Sequence, residues 1–101
     1  MRVVLFFDLP TLTVKDKKNY IIFRKKLIQS GFIMLQFSVY SKLVANQQGA
    51  EAVGRYIKSI STNSGSIQLL TVTERQFSQM KFISGTRQTE IEDRDNGLII
   101  I

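Results

Sequence analysis

Arg2-Val3-Val4-Leu5-Phe6-Phe7-Asp8-Leu9-Pro10 is the stretch on which the fold turns. Apart from Arg2, the residues before Asp8 are β-branched, aliphatic or aromatic without alternation, the pattern of a central strand covered on both faces. Asp8 closes the strand, and Pro10, which has no N–H to donate, keeps the ladder from continuing. An apolar run near an N-terminus can also be a signal peptide. Here a charged Asp8 follows directly and no small-residue cleavage site appears, so the segment reads as a strand.

Beyond the loop, Thr13 followed three residues later by Asp16 has the form of an N-cap with an acidic first turn, predicting a helix from about Val14 to Ser30 with Gly31 as its stop. Phe23, Leu27, Tyr20, Ile28 and Ile21 are expected to form its apolar stripe, with Lys15, Lys18, Lys25 and Lys26 opposite. Arg24 interrupts that stripe. It must either lie over the core with its head in water or find an anion, and both remain open.

From Ile33 to Leu43 the odd positions read Ile33, Leu35, Phe37, Val39, Ser41 and Leu43, which we expect to face the core. The even positions, among them Phe32, Met34, Gln36 and Tyr40, are too apolar for free solvent and too polar for a core, which suits a sheet surface covered by a second copy of the chain. The run is long for one strand, and a hairpin near Gln36-Phe37-Ser38 is expected. Asn46 then caps a second helix with Ala50, Val53, Ile57 and Ile60 on one face. After the turn Thr62-Asn63-Ser64-Gly65, a strand over Ser66 to Thr73 leads to a capping box, Thr73-Glu74-Arg75-Gln76, and a short helix holding Phe77 and Met80. The order βαββαβ with right-handed crossovers predicts an α+β, ferredoxin-like sandwich with two helices on one face of an antiparallel sheet. Residues 1–84 form that domain. Residues 85–101 form a polar tail ending in Leu98-Ile99-Ile100-Ile101, which would be an aggregation-prone edge unless paired with a partner sheet or, alternatively, with an edge of its own chain.

Composition narrows the chemistry. With no His and no Cys, imidazole catalysis, disulfides and zinc thiolates are excluded, leaving carboxylates, hydroxyls, amines and a hard cation. The formal charge of +6 is concentrated near the start. Arg2, Lys15, Lys17, Lys18, Arg24, Lys25 and Lys26 there face only Asp8 and Asp16, which favours a polyanionic partner. No run is long and apolar enough to span a bilayer, so no membrane partner is expected and the chain is placed in the cytoplasm.

Asp8 is the one chemical centre the residues suggest. One carboxylate binds Mg²⁺ poorly, but in a twofold dimer Asp8 of both chains can share one ion. Such a site can hydrolyse a phosphodiester without histidine. From the residue alone, an aspartate capping the following loop accounts for Asp8 better than a metal does.

Leu5-Phe6-Phe7-Asp8-Leu9-Pro10, Phe23-Arg24-Lys25-Lys26-Leu27, the whole of Gly31 to Leu43, and Leu70-Thr71-Val72-Thr73-Glu74-Arg75-Gln76-Phe77 together resemble the small CRISPR-associated adaptation protein that partners the CRISPR integrase, in its type II branch. The resemblance implies a homodimer whose C-terminal strands pack onto the partner. It implies a Mg²⁺ site from Asp8 of each protomer, and endonuclease activity on single-stranded RNA or double-stranded DNA that is separable from spacer acquisition. It also implies that the dimer sits between integrase dimers and holds double-stranded prespacer DNA, for which Lys15, Lys17, Lys18, Arg24, Lys25 and Lys42 are the candidate contacts. The competing reading is an RNA-binding or toxin-like ferredoxin-fold nuclease not tied to adaptation. Absence of an integrase gene nearby would favour it.

Overall fold

The computed structural model describes residues 1–62 and 64–85. The order is β1 (Arg2–Asp8), α1 (Val14–Gln29), β2 (Ile33–Gln36), β3 (Val39–Leu43), α2 (Gln47–Ile60), β4 (Ser66–Val72) and α3 (Glu74–Ser78). The four strands form one antiparallel sheet in the order β2-β3-β1-β4, the ferredoxin-like arrangement. β2 and β4 are its edges. The expected tail, including the strand over Leu98 to Ile101, lies outside the described residues.

Each helix begins where its cap chemistry places it. The Thr13 hydroxyl accepts from the Asp16 amide at 3.0 Å while the Asp16 carboxylate accepts from the Thr13 amide, and Thr73 with Gln76 repeats the device on α3. Asn46 accepts from the Gly49 amide at the start of α2. α1 stops because Gly31, at φ +98°, turns the chain left-handed, letting the Gly31 amide donate to Ile28 and that of Phe32 to Leu27. Because Thr73 serves as this cap, β4 ends at Val72 and not at Thr73.

α1 and α2 cover one face of the sheet. Phe23 and Leu27 from α1, and Ala50, Val53 and Ile57 from α2, pack with Val3, Leu5, Phe7, Met34 and Tyr40 of the strands. Burying Phe23 or Leu27 contributes about 1.5–3 kcal/mol each. Ile21 and Ile28, expected in the α1 stripe, are instead exposed. At 100° per residue they lie roughly 160° and 140° around the helix from Phe23, too far round to reach the sheet.

The hairpin forms as expected, with Gln36 opposite Val39 across Phe37-Ser38, but its faces are the reverse of the expected ones. Phe32, Met34 and Tyr40 are buried against the helices, whereas Ile33, Phe37 and Leu43 are exposed. Both faces of this segment are apolar, so alternation could show two faces without saying which one the helices cover. The pairing also shifts between Met34 and Gln36, so one parity does not hold along the whole segment.

The face away from α1 and α2 therefore carries Arg2, Val4, Phe6 and Asp8 of β1, beside Ile33, Val39, Ser41, Leu43, Gln68 and Leu70. Around Arg2, α3 closes over it. The Arg2 guanidinium lies 4.2 Å from the centre of the buried Phe77 ring and donates to Glu74 at 2.6 and 3.0 Å. Glu74 is thus exposed yet ion-paired with Arg2 of β1.

That hydrogen bond holds the Glu74 carboxyl below its ordinary value of 4.5 and raises Arg2. Since the folded value lies below the unfolded one, the pair stabilises the protein above about pH 4.5 and loses its contribution as pH falls through the depressed value. Glu74→Gln is expected to lower the melting temperature at pH 7, by a difference that shrinks as the pH falls below 4.5. A difference that stays constant as the pH falls well below 4.5 would show that the charge of Glu74 is not what matters.

Candidate metal centre and nucleic-acid interface

Asp8 is placed by its neighbours. Phe7, buried on the helix side, has its ring 5.2 Å from that of Phe23 and 5.6 Å from that of Tyr40, and its amide donates to the Ser38 carbonyl at 3.0 Å. Strand alternation then turns Asp8 to the opposite, open face, where it is exposed. Leu9 returns to the core. The next contact is closer still. A Cβ on Gly65 would stand 2.3 Å from the Asp8 carbonyl oxygen and 2.9 Å from Leu9 Cα, and Gly65 has φ +83°. Only glycine fits there.

Around the carboxylate is a cleft of about 200 Å³ bounded by Phe6, Ser38, Val39, Ser66 and Gln68. Ser66 stands directly opposite Asp8 in the β1–β4 register, and Gln68 opposite Phe6. Sequence reasoning centred on Asp8 and did not include these β4 residues. The available signal was topological: in an antiparallel pair the start of β4 must meet the end of β1.

No hydrogen bond engages the Asp8 carboxylate among the described residues, so it does not cap the loop that follows. The other described acids are elsewhere. Asp16 is held by Thr13, Glu74 by Arg2, and Glu51 is exposed on α2. Among the described residues no three His, Cys, Asp or Glu side chains come together to hold a metal. What the strand end offers is a free carboxylate beside hydroxyl and amide oxygens, all hard donors of the kind Mg²⁺ prefers. Among the described residues one chain supplies one carboxylate here, so that donor set fits a shared ion and not a site complete in itself.

Of the candidate cationic residues, Lys15, Lys17, Lys18 and Lys25 are exposed along α1, while Arg24 is half-buried on the same helix. Lys42 is not brought to that surface. It lies on β3, on the helix side of the sheet, with its ammonium donating to the Ser30 carbonyl at the C-terminal end of α1, where a positive charge also complements the helix dipole.

A four-stranded ferredoxin-like sheet, two helices on one face and a bare carboxylate ending the central strand define a class of small α+β proteins with a strand-end acid. The family model described as CRISPR associated protein Cas2 matches residues 1–80. Over 101 residues the chain is 45% identical to the CRISPR-associated endoribonuclease Cas2 of Treponema denticola, covering 100% of both chains. It is 46% identical to the protein of that name from Streptococcus mutans serotype c strain UA159, covering 100% of this chain and 93% of the relative. The chain belongs to the Cas2 family of CRISPR-associated proteins. A crystal structure of Streptococcus pyogenes Cas2 at pH 6.5 superposes with a TM-score of 0.64 at 18% identity, covering 83% of this chain and 100% of that one, a likeness of fold. No helix among the described residues is long and apolar enough to cross a membrane.

Proposed function

We propose that this chain acts in the cytoplasm in CRISPR spacer acquisition, as a homodimer that binds double-stranded prespacer DNA between integrase dimers and carries a Mg²⁺-dependent endonuclease activity on RNA or DNA. The observation that carries the reading is a single bare carboxylate, Asp8, at the end of the central strand of a Cas2-family fold. Two copies are needed to assemble a metal site from it. The open face of the sheet, where Ile33, Leu43 and Leu70 stay exposed, provides the apolar surface through which copies could meet.

In the dimer, Asp8 of each protomer would hold Mg²⁺ through hard carboxylate oxygens. When bound, the ion supplies charge stabilisation to a phosphodiester undergoing hydrolysis. The rest falls to the protein itself. Phe7 and Leu9, buried on either side, fix the carboxylate's direction. The exposed lysines of α1 attract the polyanion by counterion release without reading sequence.

Co-purification with the cognate integrase, followed by a spacer-integration assay, tests the role. The pair is expected to co-elute, and Asp8→Ala to integrate spacers as the unsubstituted protein does. Lys17→Glu combined with Lys18→Glu is expected to weaken duplex binding at least roughly tenfold and to flatten its salt dependence. Failure to co-elute, or unchanged affinity in the charge-reversed protein, would refute the adaptation role.

A further inference from the structure

The Asp8 cleft contains more than its carboxylate. Ser66 and Gln68 share the open face with Asp8 and border the same 200 Å³ space, Ser66 directly across the ladder and Gln68 on the diagonal. Diagonal neighbours on one sheet face lie about 7–8 Å apart at the backbone, within reach of a glutamine side chain. Both residues are exposed, and no side-chain hydrogen bond engages either of them among the described residues. Beside Gln68, the Phe6 ring is 37% exposed and forms an apolar wall.

These groups are the parts needed to hold one nucleotide of a single strand. A serine hydroxyl donates to a phosphate oxygen. A glutamine amide both donates and accepts, matching the ribose 2′-hydroxyl, which does the same and is absent from DNA. An exposed aromatic ring accepts a base face without reading its identity. Gly65, immediately before Ser66, fixes the distance between β4 and the Asp8 backbone, so these side chains cannot drift away from the carboxylate.

We propose that Ser66 and Gln68 are substrate-binding residues of the Asp8 site, Ser66 holding the phosphodiester and Gln68 giving single-stranded RNA its advantage over the same strand in DNA. The inference rests on the nuclease reading of Asp8.

The test uses the full chain carrying Asp8→Asn, so that binding can be measured without cutting. Fluorescence anisotropy compares a single-stranded RNA oligonucleotide with its 2′-deoxy counterpart. Adding Gln68→Ala is expected to weaken RNA binding by roughly tenfold, the scale of one lost hydrogen bond, and to leave DNA binding nearly unchanged. Ser66→Ala is expected to weaken both strands about equally. In the Asp8-intact protein with Mg²⁺, Gln68→Ala should raise KM for RNA with little change in kcat. An RNA-over-DNA preference that survives Gln68→Ala, or its absence from the parent protein, overturns the inference. Absence of Mg²⁺-dependent cleavage with a Gln68-dependent preference intact overturns the nuclease reading and leaves the binding assignment standing.

Discussion

Asp8→Asn is expected to lower Mg²⁺-dependent phosphodiester cleavage by on the order of a thousandfold, while duplex DNA affinity and melting temperature stay close to those of the unsubstituted protein. The substitution keeps the size and planarity of the side chain and removes only its charge, which the proposed shared site in a symmetric dimer would lose twice. It should not unfold anything. The Asp8 carboxylate is exposed and makes no hydrogen bond among the described residues, and surface changes of this kind usually stay within about 0.5 kcal/mol. Cleavage of RNA and DNA substrates by protein purified in parallel, with and without EDTA, measures the effect. Activity in the Asn variant equal to the original would remove Asp8 from the chemistry.

Gly65→Ala should have the largest effect on stability of any single methyl added to this chain at a described glycine. A left-handed backbone costs a side-chain-bearing residue roughly 1–2 kcal/mol, and forcing a Cβ against a packed neighbour typically adds roughly 1–3 kcal/mol. The neighbour here is the Asp8 carbonyl at 2.3 Å, and it has little room to retreat because Phe7 and Leu9 on either side are buried. At about 4–8 °C per kcal/mol for a domain of this size, the melting temperature should fall by roughly 10 °C or more. Gly54→Ala is the matched control. A Cβ there meets only a Leu69 methyl at 3.7 Å, and alanine favours the helix. Equal melting curves for the two variants would contradict the close approach of Gly65 to β1.

Local chemistry was legible in the sequence wherever it was decided within a few residues. The Thr13–Asp16 and Thr73–Gln76 boxes, the Asn46 cap and the Gly31 stop each satisfy backbone groups of their own turn, and each formed where expected. The βαββαβ order followed from them. What failed needed knowledge of distant partners. The faces of the hairpin could not be assigned because Ile33 and Leu43 are as apolar as Met34 and Tyr40, and only the position of α1 and α2 decides which set is covered. Glu74 is a surface charge, but its pairing with Arg2 was not legible because that partner is 72 residues away. Asp8 itself was legible as a strand end, whereas Gly65, Ser66 and Gln68 join it only through the β1–β4 pairing.

The unequal rims of the sheet bear on how copies can assemble. One rim, β2, has four residues and a disturbed ladder, a poor template for another strand. The other, β4, has seven residues in unbroken register with β1, and among the described residues its outer row of amides and carbonyls has no neighbouring strand. Strand addition through one such rim would join two copies and then have nowhere to continue, so growth by that route would close at a pair and not run on into a filament.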